Sequence, residues 1–143
     1  MVFGRYRSLV ILGIVLFILL MIILFFQQSK QVEMENQLTK VELQNVRVGV
    51  GISDGIIGTA IFGVINNNGE KIISIAEMNV EFLNEDGDVK KVHKFFPVNK
   101  FSFSDSLPLK PEQSKEFGFP IDDIVPEDWD GTFKASLTDL IFK

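Results

Sequence analysis

The chain contains no cysteine. Disulfides, thiol catalysis, cysteine metal sites and a lipid-modified N-terminal cysteine are excluded by that alone. It contains one histidine, His93, beside Lys90, Lys91 and Lys94 in a stretch that reads as a strand. A lone imidazole can act as a base, but no serine lies in a strained strand-turn-helix setting to serve as its nucleophile. The ordinary reading of His93 is a half-exposed strand residue. There is no Gly-rich phosphate loop, because Gly49, Gly51 and Gly55 are not followed by a helical pattern. No Asn-x-Ser/Thr acceptor occurs, so nothing marks a glycosylated eukaryotic secretory product, and a bacterial origin is the expectation. The sequence offers no catalytic residue and no cofactor motif, and we expect no enzyme.

Charge is also missing from one long segment. Leu9 to Phe26 reads LVILGIVLFILLMIILFF, with no charge, proline, serine or threonine. Its 18 residues measure about 27 Å as a helix, close to the thickness of a bilayer's hydrocarbon core. A buried core helix would carry polar residues on one face, and this one has none. A cleaved signal peptide would have an apolar core of about 7–15 residues and small residues at the cut. Here the run is longer and leaves through Phe25-Phe26-Gln27-Gln28-Ser29-Lys30. The expectation is a retained membrane anchor. Arg5 and Arg7 precede it, and only Lys30 follows closely, offset by Glu33 and Glu35. The positive-inside rule then puts residues 1–8 in the cytoplasm and the rest of the chain outside, in the periplasm or beyond.

The remainder is acidic. Of 14 basic side chains, Arg5 and Arg7 precede the anchor, leaving 12 against 19 acidic ones, a net of −7 after the apolar run. Such a balance gives no footprint for nucleic acid, and an anionic membrane surface would not attract the domain either. The total of 143 residues leaves room for one compact domain.

Gln27 to Lys40 is polar and free of proline and glycine, and predicts a helical stalk without a sustained heptad. From Val41 the period becomes two. Val41 and Leu43 alternate, then Val46, Val48 and Val50 alternate in the opposite phase, which predicts a bulge near Gln44 or Asn45. Gly51 to Gly55 is expected to break the run. Further strands are predicted over Thr59–Ile65, Ile75–Leu83, Val89–Phe96 with Pro97 as its stop, Ser114–Phe119 and Phe133–Phe142, with Leu107–Pro111 as edge strand or loop. Asn66-Asn67-Asn68-Gly69 suits a tight turn, and Asn84-Glu85-Asp86-Gly87 predicts a hairpin with a primed turn. No strand alternates with a helix, so the sheets should be antiparallel. The expected fold is all-β, an immunoglobulin-like two-sheet antiparallel sandwich over residues 41–143, behind one N-terminal transmembrane helix at 9–26 and a stalk at 27–40.

Three segments carry a family resemblance. Ile65-Asn66-Asn67-Asn68-Gly69, Val80-Glu81-Phe82-Leu83-Asn84-Glu85-Asp86-Gly87 and Leu109-Lys110-Pro111-Glu112-Gln113-Ser114-Lys115-Glu116-Phe117 lie within a stretch from about Val46 to Ile141. It resembles the small FxLYD-type β-sandwich domains of bacterial envelope proteins. The three segments match that family's strand-end N-x-G turn, its strand leading into D-x-D-G, and its L-x-P-G-E-S-x-x-F strand start. Glu112 stands where that last pattern has glycine, and Phe82-Leu83-Asn84 is not the naming motif. The resemblance implies a fold and an envelope location and assigns no catalytic residue.

Two clusters are candidates for binding. Asp122, Asp123, Glu127, Asp128 and Asp130 are hard oxygen ligands in one loop, as calcium needs, but the spacing is not that of an EF-hand and Pro126 and Trp129 interrupt it. A solvated acidic loop is the ordinary reading, with Trp129 packed as a lid over one end of the domain. Phe95 and Phe96 are adjacent, so one should point away from the core of a regular strand. Phe101 and Phe103 follow in a connection of otherwise polar residues. Either that loop folds over a sheet edge and buries them, or they form an aromatic patch that docks a partner. The functional expectation is a membrane-tethered binding or accessory module whose partner is another envelope protein. The alternatives are a structural subunit of an envelope-spanning or surface assembly, though Gly13 alone gives the helix no small-residue face, and a calcium-dependent domain.

Overall fold

The computed structural model describes residues 3–53 and 55–143. Met1, Val2 and Asp54 lie outside the described residues, as do the side chains of residues 3–9 and 53. The flank carrying Arg5 and Arg7 is therefore described only as backbone. Two compact units follow each other along the chain, Met1–Asn36 and Gln37–Lys143.

The first unit belongs to a single helix, α1, from Phe3 to Leu38. It is long and apolar enough to cross a membrane. The large apolar side chains from Val10 to Phe26 are all exposed, and they occupy every face of the helix, so no soluble core claims them. The helical state continues without a break through the polar residues after Phe26, as their propensities predict. It ends in a turn closed by Lys40 N–H donating to Gln37 C=O at 3.0 Å.

The second unit holds six strands: β1 (Val41–Ser53), β2 (Ile56–Asn67), β3 (Ile73–Leu83), β4 (Val89–Asn99), β5 (Ser114–Pro120) and β6 (Phe133–Phe142). They form two three-stranded sheets, ordered β1-β2-β5 and β4-β3-β6, and every strand pair is antiparallel. Period-two alternation turns one set of side chains inward. Ile61 and Ile65 of β2, Met78, Val80 and Phe82 of β3 and Leu140 of β6 are completely or almost completely buried. The two sheets meet through aromatic rings, with Phe95 of β4 stacked on Phe119 of β5 at 4.8 Å between centroids. Phe117 of β5 lies over Gly63 of β2, its register partner, where a Cβ would stand 2.5 Å from the ring, so only glycine leaves room for it. Trp129 packs edge-on against Phe82, centroids 5.2 Å apart, and donates its Nε1–H to Thr132 C=O at 2.7 Å. That is the lid position expected of it.

Four expectations about local structure need comment. The β1 register shifts between Gln44 and Arg47, and Asn45 takes a φ of 54°, so the bulge lies where the change of hydrophobic phase put it. Gly51 to Gly55 does not break the ladder. Pairing continues to Ser53↔Ile56, and β2 begins three residues before Thr59. Glycine weakens a strand without forbidding it, and here the β-branched Ile52, Ile56 and Ile57 stand close to the turn. Pro97 does not stop β4. Residues 96 and 97 stand opposite Glu77 alone, so the proline occupies a bulge on an edge strand, where its missing N–H costs no ladder bond. The β3–β4 turn is not primed. Gly87 N–H donates to Asn84 C=O at 2.9 Å, and within the turn only Gly87 has positive φ, at 83°. The Asn84 carboxamide also accepts from Asp88 N–H at 2.7 Å, which fixes this wider loop.

The sheets define two ends of the second unit. At the root end, where the chain arrives through Gln37–Lys40, lie the Val41↔Asn67 and Ile73↔Phe142 pairs, the Ile73↔Leu109 bridge and the bond from Lys100 N–H to Ser74 C=O. At the far end lie the β1–β2 turn, the β3–β4 turn and the 121–132 crossover, joined to the sheets through Ile121 N–H to Thr59 C=O and Phe82↔Phe133.

Candidate functional site

His93 pairs with Val80 across the β3–β4 ladder, half-buried, its ring tilted against Phe95 at 4.8 Å. Among the described residues no three histidine, aspartate or glutamate groups come together as metal ligands. The five carboxylates of the crossover are exposed, and two of them are engaged with separate backbone groups. Both oxygens of Asp122 accept from Thr59 N–H, at 2.8 and 3.0 Å. This carboxylate covers Gly58, and any Cβ at residue 58 would collide with it. Asp130 accepts from Thr132 N–H at 2.8 Å, and that bond, with a further one from the Thr132 hydroxyl, holds its carboxyl below the usual aspartate range. The loop is thus an exposed acidic surface tied down at two points.

One exposed apolar surface of the second unit was not visible as such in the sequence. β5 stops pairing at Ala60↔Pro120, whereas β1 and β2 run on through four more pairs to Ser53↔Ile56. The result is a two-stranded arm about 13 Å long. Val50, Ile52 and Ile57 stand on the same face as the buried Ile61, by the two-residue period and the pairs Val48↔Ile61, Val50↔Thr59 and Ile52↔Ile57. The core face therefore continues past the core. On the arm Val50, Ile52, Ile56 and Ile57 are 71–77% exposed. Beside them is an open groove of about 660 Å³ lined by Gly51, Gly58, Phe62, Gly118, Asp122 and Asp123 among others. The aromatic wall is Phe62, whose ring lies over Gly51 and Gly118 and under the Arg47 guanidinium at 5.9 Å. The available signal was the in-phase run Val48, Val50, Ile52, which continues across Gly49 and Gly51.

The second apolar surface is the loop after β4. Phe95 is 7% exposed and Phe96 40%, the division that adjacency in a strand requires. Phe101 is 71% exposed, Phe103 is fully exposed and Leu107 is open as well. The loop does not fold over the sheet edge, because its own polar groups hold it in place. Asn99 Oδ1 accepts from Phe101 N–H at 3.0 Å, Ser102 Oγ from Asp105 N–H at 3.3 Å, and Asp105 Oδ1 from Leu107 N–H at 3.2 Å. Asp105 is also paired with Lys115 at 2.9 Å, and that hydrogen-bonded ammonium is the main reason its carboxyl sits low. Lys100 lies over the Phe101 ring at 4.9 Å.

Charge is sorted between the two ends. The root end carries Lys40, Lys71, Lys100, Lys110, Lys115 and Lys143 against Glu42, Glu70, Asp105, Glu112 and Glu116. The far end carries eight carboxylates within residues 85–88 and 122–130, opposed by Lys90, Lys91 and Lys134. The net charge of the domain therefore describes neither end.

Comparison of the chain with family models, with curated proteins and with solved structures gives no match.

Proposed function

We propose that this chain is a non-enzymatic binding or accessory module of the cell envelope, held by α1 in the inner membrane with its β domain on the extracytoplasmic side. Support for the tether comes from the uniformly apolar stretch of α1 and from the placement of Arg5 and Arg7 before it. Support for an immunoglobulin-type sandwich comes from strand order. Strands 1, 2 and 5 in one sheet and 4, 3 and 6 in the other match strands A, B, E and C′, C, F of that architecture, without G. The FxLYD-type resemblance gains support from the two residues that carry its turns. Asn67 makes three side-chain hydrogen bonds in the N-x-G segment, and Glu112 takes a φ of 58°, a conformation that suits the glycine of the family pattern.

One observation carries the binding role: the arm, on which the core face extends uncovered into solvent. Val50, Ile52 and Ile57, each more than two-thirds exposed on one face of a single hairpin, form a patch that soluble domains ordinarily cover, and Ile56 is exposed on the other face. Its acidic neighbours Asp122 and Asp123 favour a protein partner that brings apolar and basic side chains together. A photocrosslinking residue at Ile52 in native membranes should give a discrete adduct, and Ile56→Ser with Ile57→Ser should abolish it without lowering the domain's melting temperature. An adduct that persists in the double variant would remove the arm from the account.

A further inference from the structure

The arm leaves the other apolar surface without a role. Phe101, Phe103 and Leu107 are exposed on the loop that leaves the sheet at the root end, the end at which the chain arrives from α1. Two features of that end decide what covers them. The first is charge. The root end carries six lysines against five carboxylates and the far end eight carboxylates against three lysines, so a surface of anionic phosphates favours the root end. The second is the loop's polar inventory. Its one carboxylate is paired with Lys115, and the amides of Phe101, Asp105 and Leu107 are bonded within the loop. Those amides would therefore enter an interface already paired.

We propose that the Phe101–Leu107 loop is a second membrane contact, whose Phe101, Phe103 and Leu107 insert into the headgroup layer of the bilayer that α1 crosses while Lys100 and its neighbouring lysines meet lipid phosphates. The proposal rests on the membrane-tethered reading and is independent of the arm. Insertion to a depth of about 5–10 Å, as for other interfacial segments, would pin the domain with its root end down and present the arm and the acidic far end away from the membrane. The exclusion drawn from net charge alone then applies only to the far end.

The absence of cysteine makes a direct test available, because any introduced thiol is the only one in the chain. The full chain is reconstituted in vesicles of phosphatidylcholine and phosphatidylglycerol with a bimane label at Phe103→Cys, Leu107→Cys, Phe17→Cys or Asp86→Cys. Lipids brominated near the headgroup serve as quenchers for the loop labels, and lipids brominated at the acyl-chain end for the label at Phe17. Labels at Phe103 and Leu107 should shift to the blue and lose intensity to the bromolipids, and the label at Asp86 should do neither. Unquenched labels at Phe103 and Leu107 beside a quenched label at Phe17 would overturn the proposal and leave the anchor standing. If the Phe17 label is unquenched too, the anchor reading falls with the proposal. A blue shift at Phe103 without quenching would mean that protein, such as a second copy, covers the loop, and would also overturn it.

Discussion

Asn67 joins three segments of the root end. It is almost fully buried, donates to Lys71 C=O at 2.8 Å and to Leu109 C=O at 3.1 Å, and accepts from Gly69 N–H at 3.0 Å. Its main chain bonds to Gln113 and Glu112. Asn67→Ala should leave buried polar groups unpaired and cost about 2–3 kcal/mol, a fall in melting temperature of more than about 8 °C, measurable by thermal denaturation of the β domain. Glu112 is held in the left-handed region, so Glu112→Gly should stabilise by up to about 1 kcal/mol, read by the same melt. The triplet Asn66-Asn67-Asn68 announces a turn but not its inward member. The phase of Ile61 and Ile65 does, since Asn67 stands two residues on. Acid should weaken the fold through a few identifiable carboxyls. Glu77 is lowered from an ordinary value of 4.5, first by its bond with Lys94 and then by Thr138. Asp105 and Asp130 are lowered as well. Each is depressed in the folded state, so its contribution is present above the ordinary carboxyl value and is lost as pH falls through the lower folded value. The melting temperature should therefore drop below about pH 4, and Lys94→Ala should flatten that drop.

At the scale of elements, core and arm make opposite predictions from the same alternating pattern. Val80 is completely buried, and Val80→Asp should abolish the cooperative melt of a fragment spanning Gln37 to Lys143, because an unpaired charge there costs several kcal/mol. Ile52→Ser with Ile57→Ser should leave that melt unchanged, as both side chains are already in water. Much of this layer was legible. β6 runs from Phe133 to Phe142 as its pattern predicts, and Met78, Val80 and Phe82 form the inward row of β3. What was not legible was how far the arm reaches. Gly51 to Gly55 reads as a break, while the cross-strand pairing that overrides it is non-local. Pro97 was misread for a related reason, since its tolerance depends on β4 being an edge strand. The exposure of Phe101 and Phe103 turned on side-chain bonds from Asn99, Ser102 and Asp105 that no periodicity encodes.

At the scale of the whole chain, the proposed function rests on joining an apolar helix to a domain whose charges and apolar surfaces are divided between two ends. Net charge and total hydrophobicity conceal that division, whereas strand register exposes it. The central claim is that α1 is a retained anchor and the β domain lies outside the cytoplasm. The most direct measurement uses a single Lys143→Cys variant in spheroplasts, treated with a membrane-impermeant maleimide before and after lysis, followed by alkaline carbonate extraction. The account predicts labelling of intact spheroplasts, a labelled product of the full 16.2 kDa, and retention in the membrane pellet. Labelling that appears only after lysis, release by carbonate, or a product shortened to begin near Gln27 would contradict it.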